Sequence, residues 1–290
     1  SPANPSHERQ VAEIAAEHFP QLFVSTSSDV FPFLREYERW TTATMNAFTG
    51  PLFDLYLGRL EEGLRETGLK GDLFIMSSSG GTVTPDVARQ FPVRMLESGP
   101  AAGVLQTATL GRQLNRPDLL SFDMGGTTAK ACLIHNGQPE RTVNFEVARE
   151  TRFAEGSGLP LLIPAIDMIE IGAGGGSIAR VDQRGLLQVG PDSASADPGP
   201  VCYGRGGEAP TVTDCDLLLG YLDENSFLGG TMKLDRAAAE KAIKTQLGDP
   251  LGISPQEAAW GVHETVTSSM AQAATIHAIE RGLDATRFAM

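Results

Sequence analysis

The sequence predicts an α/β fold in which a mixed sheet is flanked by helices. Two apolar runs, residues 119–122 and 129–134, surround the segment Asp-Met-Gly-Gly-Thr-Thr and indicate a β-hairpin. A run of small residues after Ser98 indicates a closely packed helix just before this hairpin. A long apolar stripe with a capping box indicates another helix near the end of the chain. Strands interspersed with such helices are typical of the α/β class.

The first third of the chain is predicted to be mostly helical. A helix break is expected before Pro51, because proline lacks the backbone donor and disfavours helical geometry in the residue before it. The expected elements, in order, are a helix over 6–18 with Val11, Ile14, Ala15 and His18 on one face, a strand over 22–25, a helix over 33–49, a second helix ending at Gly68, a strand over 73–76, a loop over 77–81, a brief helix capped by Thr84 and a strand at Val93.

The small-residue helix has clear start signals. Ser98 is expected to be its N-cap, since a serine hydroxyl accepts a hydrogen bond from the first turn. Pro100 suits the first turn, where a missing N–H has no cost. Ala102 and Gly103 are expected to lie at a close helix contact that a larger side chain would overpack.

The hairpin carries the most informative chemistry in the chain. Gly125 and Gly126 are expected to take positive φ angles and to let a ligand approach the main chain. Backbone N–H groups there, with the hydroxyls of Thr127 and Thr128, would form a nest for phosphate oxygens. Asp123 ends the first strand and is placed to hold a hydrated Mg²⁺ beside those phosphates. The alternative is an ordinary hairpin with a Gly-Gly turn, in which Asp123 only caps its own turn.

The second half is predicted to pass from strands to helices. Tight turns are expected at Asn136-Gly137 and Arg184-Gly185 within a strand-rich segment, and residues 191–210 form a long Gly/Pro loop. The final helix starts at the capping box Ser254-Pro255-Gln256-Glu257 and ends near Gly282. Its predicted buried stripe is Ala259, Val262, Val266, Met270, Ala273 and Ile276.

The small-residue helix followed by Asp-x-Gly-Gly-Thr resembles the actin, hexokinase and heat-shock chaperone ATPase superfamily, which has a ribonuclease H-like fold. In that superfamily a "connect" helix precedes the second phosphate hairpin. The resemblance implies a first lobe over residues 1–116 that ends in the connect helix. It implies a second lobe over 117–290 with the hairpin, a β-rich insert and C-terminal helices. Glu97 then falls where relatives carry a group that orients the attacking molecule, which implies a catalytic role for it beside Asp123.

A series of ordered motifs is similar to the A-subunit branch of the hydantoinase, oxoprolinase and ketone carboxylase family. The resemblance extends over essentially all 290 residues, although Ser195 stands where the family usually has glycine. The motifs are Asn4-Pro5-x-His7-Glu8, Arg35-Glu36-Tyr37-Glu38-Arg39, Ile171-Gly172-Ala173-Gly174-Gly175-Gly176-Ser177-Ile178-Ala179, Val189-Gly190-Pro191, Asp197-Pro198-Gly199-Pro200, Cys202-Tyr203-Gly204-Arg205-Gly206-Gly207 and Pro210-Thr211-Val212-Thr213-Asp214.

This resemblance implies ATP and Mg²⁺ as cofactors and a γ-phosphate that activates a carbonyl oxygen. The acceptor would be a cyclic amide in the hydantoinase branch, or an enolate or bicarbonate in the ketone carboxylase branch. A B subunit or fused B domain is the expected partner. The alternatives are an ATP-gated binding module, like the chaperone ATPase domains, and a sugar or acetate kinase. The motifs between residues 171 and 214 argue against both.

Two candidate binding elements keep alternative interpretations. Gly174, Gly175 and Gly176 could line a nucleotide cleft opposite the hairpin, or could mark a close crossing of strands. Lys130, on the outgoing hairpin strand, could contact the nucleotide or be a solvated charge, and Thr-Thr-Ala-Lys looks more like the hydantoinase and ketone carboxylase branch than oxoprolinases. Asp197 and Arg205, which flank the Gly/Pro loop, could contact substrate or a partner subunit.

Composition limits the partners. With 36 acidic and 23 basic residues the net charge is −13, so neither nucleic acid nor an anionic membrane surface is an expected partner. The three cysteines have no paired spacing, which fits a reducing cytoplasm; Cys132 is expected in the core and Cys202 in a more exposed loop. No histidine pair has metal-ligand spacing. Both ends look cut, so we expect weak ATP binding and self-association as a homo-oligomer from these residues alone.

Overall fold

A computed structural model describes residues 3–148 and 156–290 and has the α/β composition that the sequence predicts. The helices are Ser6–His18 (α1), Ser27–Val30 (α2), Glu36–Glu66 (α3), Pro85–Gln90 (α4), Ser98–Gln113 (α5), Val212–Leu219 (α6), Arg236–Ile243 (α7), Asp249–Leu251 (α8) and Pro255–Glu280 (α9). The strands are Ile75–Met76 (β1), Thr82–Val83 (β2), Leu119–Met124 (β3), Ala129–His135 (β4), Gln138–Pro139 (β5), Arg141–Val147 (β6), Leu159–Ile166 (β7), Ile169–Ile171 (β8), Ser177–Val181 (β9) and Leu187–Ser193 (β10). Part of the predicted strand-rich segment, residues 149–155, lies outside the described residues.

The strands within the described ranges form four small sheets. β1 pairs with β2, β6 with β7, and β9 with β10, each in antiparallel register. The remaining sheet has the order β3-β4-β5, and β8 pairs with the start of β4. The expected tight turns are present, since Asn136 and Gly137 have φ angles of 53° and 72° between β4 and β5. Gly185, between β9 and β10, has φ 76°.

The chain divides into two compact units. The first consists of residues 1–121 and 132–167, and the second of residues 122–131 and 168–290. In the first unit, Val30 and Val93 pack with the β7 residues Leu161 and Ile163. A neighbouring cluster joins α3 and α4 through Leu57 and Ala88.

The second unit has a larger core built around α9. Its members come from β4, β8, β9, α6, α7, α9 and the adjoining segments, and they include Ala129, Ile171, Ala179, Val212, Cys215, Val262 and Val266. A second cluster places Cys202 and Leu217 against Leu234 and Ala239. The start of the hairpin's outgoing strand is therefore fixed in the core of this unit.

Four predicted elements differ from the structure. α3 continues through Pro51, because buried residues on both sides of it, such as Asn46 and Leu57, hold the helix together despite the lost donor. Residues 22–25 form no strand. Val93 lies in a short 3₁₀ turn rather than a strand, and its N–H donates to Asn46 Oδ1 at 3.2 Å. The apolar face predicted on α1 is exposed, since α1 has no buried residue.

The final helix confirms most of its prediction. Ser254 and Glu257 form the capping box, and Gly282 follows the helix with φ 70°. The buried stripe begins as expected, but Ile276 is 53% exposed and the buried side continues through Ala274, His277 and Ala278. The stripe shifts because the helix repeats every 3.6 residues over a long span. Among the described residues, no helix is both long and apolar enough to cross a membrane.

Candidate functional site

The predicted hairpin is present, with an anchored base and an exposed tip. The N–H of Gly125 donates to the carbonyl of Thr128 at 2.9 Å and closes the turn between β3 and β4. Asp123 and residues 124–127 are exposed, whereas Ala129 is fully buried in the core of the second unit. A fixed base with an open tip is the arrangement that a ligand-binding turn requires.

The tip offers a row of unused donors. Within the described part of the chain, the backbone N–H groups of Gly126, Thr127 and Thr128 have no hydrogen-bond partner. The Asp123 carboxylate likewise makes no hydrogen bond or ion pair to another described residue. Successive free N–H groups form a concave site for an anion, and a free carboxylate beside them suits a hydrated divalent cation.

The two turn glycines do not have the backbone conformation that the sequence predicts. Neither Gly125 nor Gly126 has a positive φ angle, so the sequence-based expectation of left-handed geometry is wrong. A Cβ added at Gly126 would meet nothing within 4 Å, and one at Gly125 would lie 3.3 Å from the Thr128 carbonyl oxygen. The turn therefore closes without left-handed backbone at either glycine. The segment that approaches the turn's backbone closely lies elsewhere in the chain.

That segment is the glycine triplet of residues 174–176. The N–H of Gly175 donates to the Gly125 carbonyl at 3.0 Å, and the N–H of Gly176 donates to the Gly126 carbonyl at 2.6 Å. A Cβ added at Gly174 would lie 2.6 Å from the Gly125 carbonyl oxygen. The triplet therefore lies against the carbonyl side of the turn, which leaves the turn's N–H groups on the side away from it. Of the two interpretations of the triplet, this contact matches a close backbone crossing.

The triplet is itself supported from behind. The carbonyl of Gly175 accepts hydrogen bonds from the N–H and hydroxyl of Thr213, at 2.7 and 2.8 Å. The carbonyl of Gly176 accepts a hydrogen bond from the N–H of Ala194 at 2.8 Å. Ala194 lies in the long Gly/Pro loop, directly after β10. Hydrogen bonds thus link the hairpin, the triplet, the loop and the start of α6.

Lys130 is held beside the turn by an ion pair. Its ammonium lies 3.1 Å from Glu170 Oε1 on β8, directly across the β4–β8 register. It also lies 3.5 Å from the Thr128 hydroxyl, and the side chain is only 16% exposed. Lys130 is therefore not a freely solvated charge, and its side chain borders the hairpin tip.

Glu97 occupies a special backbone position at the start of α5. The structure makes Glu97 the N-cap, with φ 60° and ψ 19°, and Ser98 is the first helical residue rather than the cap. The N–H of Ala101 donates to the Glu97 carbonyl at 3.1 Å. A left-handed non-glycine residue carries about 1–3 kcal/mol of strain, and such residues concentrate at functional sites. Glu97 belongs to the first unit and Asp123 to the second.

The close contact of α5 lies eight residues beyond Gly103, the position that the sequence predicts. Gly103 is exposed, and a Cβ there would meet nothing within 4 Å, so the expectation of a tight contact at Gly103 is wrong. The tight position is Gly111, where a Cβ would clash with Leu119 and lie 2.8 Å from the Arg116 carbonyl oxygen. The small residues near the start of the helix gave no indication of which face is covered.

The cysteines are structural. Cys132, Cys202 and Cys215 are all fully buried, which corrects the expectation that the Gly/Pro loop exposes Cys202. Burial, and then the nearby Asp214 carboxylate, raises the pKa of the Cys202 thiol far above its usual range. No group of three or more metal-ligating side chains is found within the described ranges.

Asp214 is a residue that sequence reasoning did not identify as part of a site; of the loop residues 201–207 near it, only Arg205 is a sequence-predicted candidate for contact with substrate or a partner subunit. Asp214 is fully buried and caps α6 through the box Thr211-x-x-Asp214, a spacing readable from the sequence.

Ser195, where the family usually has glycine, has φ 55°. Its left-handed conformation explains why glycine suits that position.

Comparison with known proteins gives consistent results. A family model described as hydantoinase/oxoprolinase matches residues 39–290. An uncharacterized protein of Methanocaldococcus jannaschii is 43% identical over 99% of this chain and 42% of its own length. Caprolactamase subunit alpha of Pseudomonas jessenii is 38% identical over 99% of this chain and 40% of its own length.

The structural comparison agrees. A nucleotide-free structure of acetone carboxylase, from work on its ATP-dependent acetone carboxylation, superposes with a TM-score of 0.81 and 31% identity over 99% of this chain and 40% of its own. The chain therefore spans about two fifths of the length of these relatives.

Proposed function

Because the chain belongs to the hydantoinase/oxoprolinase family, we propose that it supplies phosphate-binding residues to an ATP-dependent enzyme that activates a carbonyl group. The observation that carries this proposal is the hairpin tip: residues 126–128 present N–H groups without partners in the described chain, while the carbonyls of Gly125 and Gly126 are bonded to the glycine triplet. The donor side of the turn is therefore the side that the turn's own hydrogen bonds leave open to an anion.

We propose that these residues are the second phosphate hairpin of an actin-like, two-lobed nucleotide cleft. The small-residue helix α5, directly before the hairpin, supports this assignment. Residues 1–116 and 117–290 would then belong to its first and second lobes. The Thr127 and Thr128 hydroxyls would add donors to the backbone nest, and the Lys130 ammonium would add positive charge at its edge.

The residues present fit a bound Mg²⁺. Asp123 is exposed, lacks a partner in the described chain and lies beside the free N–H groups, so its carboxylate would hold the hydrated ion. When bound, the ion would neutralise negative charge on the phosphate oxygens. Asp123 itself would contribute a fixed negative charge that places this cation at the hairpin rather than elsewhere on an acidic protein.

For the reaction we propose ATP-dependent opening of a cyclic amide. The γ-phosphoryl group passes to the amide oxygen, ADP leaves, water attacks the activated carbon, and phosphate and the ring-opened amino acid are released. The protein's contribution is positioning and charge neutralisation. Glu97, held in a strained N-cap conformation, is the residue that we assign to orienting the attacking water.

A second candidate function is a ketone carboxylase. It is favoured by the TM-score of 0.81 against the acetone carboxylase structure. In that case the phosphoryl acceptor is an enolate or bicarbonate, and the same hairpin residues would keep their roles. For either reaction we propose a B-type partner subunit or domain, because the caprolactamase relative is a subunit of its enzyme.

The test uses the intact enzyme with its partner subunit. ATP hydrolysis is measured with caprolactam, hydantoin, 5-oxoproline, or acetone with bicarbonate, and the organic product is quantified. The amide-hydrolase proposal predicts that a cyclic amide stimulates ATP hydrolysis and that one ring opens for each ADP formed. Stimulation by acetone and bicarbonate alone would favour the carboxylase. ATP hydrolysis that none of these compounds stimulates would contradict both and favour an ATP-gated binding module.

A further inference from the structure

The Asp214 carboxylate is fully buried, and both of its oxygens accept hydrogen bonds. It accepts hydrogen bonds from the Thr211 N–H and hydroxyl at 2.9 and 2.8 Å, from the Cys202 N–H at 2.7 Å and from the Val201 N–H at 3.2 Å. A buried carboxylate is costly unless such donors surround it. Four donors converging on one side chain indicate that it fixes the backbone around it.

Two of these hydrogen bonds exceed what a helix cap needs. In the capping box of α9, the exposed Glu257 carboxylate accepts, among the described residues, only from the N–H and hydroxyl of its N-cap, Ser254. Asp214 makes the same two bonds to Thr211 and adds those from Val201 and Cys202. The additional bonds attach residues 201–207, which we call the arginine arm, to the start of α6.

The arginine arm is connected to the phosphate hairpin by direct contacts. Asp214, which holds Val201 and Cys202 through hydrogen bonds, directly follows Thr213 in the chain. Thr213 donates to the Gly175 carbonyl, and the Gly175 N–H donates to the Gly125 carbonyl. The Tyr203 ring also packs against Phe227 with 5.5 Å between ring centroids, which fixes its orientation.

Arg205 is exposed at the end of this fixed segment. It lies between Gly204 and Gly206, whose φ angles are 66° and 98°. Arg180 and Arg184, in the same unit, pair with aspartates at 3.0 and 3.1 Å. Arg205 makes no ion pair with any described residue, and its side chain donates only to the Met232 sulfur, at 4.0 Å, among those residues.

We propose that Asp214 and Thr213 hold the arginine arm beside the hairpin, where the Arg205 guanidinium binds an anionic oxygen of the bound ligand. A guanidinium presents a planar set of donors that matches a phosphate or carboxylate, and little ordering is needed when its backbone is already fixed. The anionic group belongs either to the nucleotide phosphates or to a carboxylate on the organic substrate. This inference rests on the proposed function, since it assigns a second binding element to the same site.

The first test compares Arg205→Gln with Arg184→Gln, a matched exposed arginine beside another glycine turn. The intact enzyme is assayed with Mg–ATP and with each compound of the substrate panel that it turns over. We expect Arg205→Gln to lower kcat/KM for at least one of them by about tenfold or more, the scale of a lost hydrogen bond to a charged group. Arg205→Lys should recover part of the loss, and Arg184→Gln should stay within twofold of the parent.

The pattern of the loss identifies the anion. A raised KM for Mg–ATP assigns the nucleotide phosphates. A raised KM for 5-oxoproline without one for caprolactam, which lacks a carboxylate, assigns the substrate carboxylate. If Arg205→Gln leaves all these constants within twofold of the parent, the assignment of Arg205 is wrong.

The positioning role is tested with Asp214→Asn, and with Thr213→Val, which removes the hydroxyl that donates to the Gly175 carbonyl, in case the Asp214 substitution prevents folding. Each should change the same kinetic constant as Arg205→Gln. Neither should add a further loss when combined with it, because residues that act through one another are not additive. Additive losses would overturn the positioning role. Asp123→Asn separates the two proposals: if it abolishes turnover while Arg205→Gln has no effect, only this inference fails, and if neither has an effect, the proposed function fails too.

Discussion

The N–H of Gly176 donates to the carbonyl of Gly126 at 2.6 Å, and a Cβ added at Gly176 would lie 2.9 Å from that same oxygen. The hydrogen bond and the absence of a side chain are therefore two parts of one contact. At the Gly125 carbonyl two residues share these parts, because the Gly175 N–H donates to it at 3.0 Å and a Cβ added at Gly174 would lie 2.6 Å from it. The hairpin tip consequently has a support on its carbonyl side that is made of backbone alone.

Substitution of this support should damage both stability and activity. In Gly174→Ala the new methyl would lie 2.6 Å from a backbone oxygen, which cannot move as easily as a side chain. We expect a cost of about 1–3 kcal/mol in the free energy of unfolding, measured by chemical denaturation. Gly126→Ala is the control, because its Cβ would meet nothing within 4 Å. Equal stability of the two variants would show that the contact is looser than described.

A second pair of glycines locates the covered face of α5. Gly111→Ala should lower the denaturation midpoint, since its methyl would clash with Leu119 and the Arg116 carbonyl. Gly103→Ala should be neutral or stabilising by up to about 1 kcal/mol, because alanine favours an exposed helix position. The reverse order of stabilities would place the buried face of α5 on the opposite side.

Two left-handed residues should respond differently to glycine. Glu97 and Ser195 have positive φ angles of 60° and 55°, a conformation that strains a non-glycine backbone. Glu97→Gly and Ser195→Gly both remove that strain, so neither should lower the melting temperature appreciably. Only Glu97→Gly removes a carboxylate with a proposed catalytic role, and its turnover should fall by at least about tenfold. Ser195→Gly should retain parental turnover. An active Glu97→Gly enzyme would remove Glu97 from the mechanism.

The thiols should be inert in the folded protein. Burial raises the pKa of Cys202 and of Cys215 far above the usual range, so little of the reactive thiolate forms near neutral pH. Iodoacetamide should label Cys132, Cys202 and Cys215 only after denaturation, as read by peptide mass spectrometry. Rapid labelling of Cys202 in the native protein would show that the Gly/Pro loop opens.

The sequence was sufficient for local elements with a strong physical signature. The hairpin, the capping box at Ser254 and the tight turn at Asn136-Gly137 each depend on a few adjacent residues, and each was predicted correctly. Pro51 shows the opposite case. Its local preference to end a helix was overridden by packing on both sides of it, which depends on residues far away in the chain.

The site shows the same limit. Asp123 and the free donors of the turn could be found from the pattern alone, because they are adjacent in sequence. The contact of Gly174–Gly176 with the turn joins segments about fifty residues apart, so the pattern left two interpretations open. The hydrogen bonds from Val201 and Cys202 to Asp214 could be found only in the folded chain, although the capping-box spacing at Thr211 is visible in the sequence.

The central claim is that the hairpin binds the phosphates of Mg–ATP, and Asp123→Asn tests it most directly. The substitution keeps the shape of the exposed side chain and removes the charge assigned to Mg²⁺. In the intact enzyme we predict a loss of at least about 10²-fold in ATP-dependent turnover, the scale for a positioned electrostatic group, with an unchanged melting temperature. Near-normal turnover in a variant with the parental melting temperature would contradict the assignment of Asp123 and, with it, the nucleotide site.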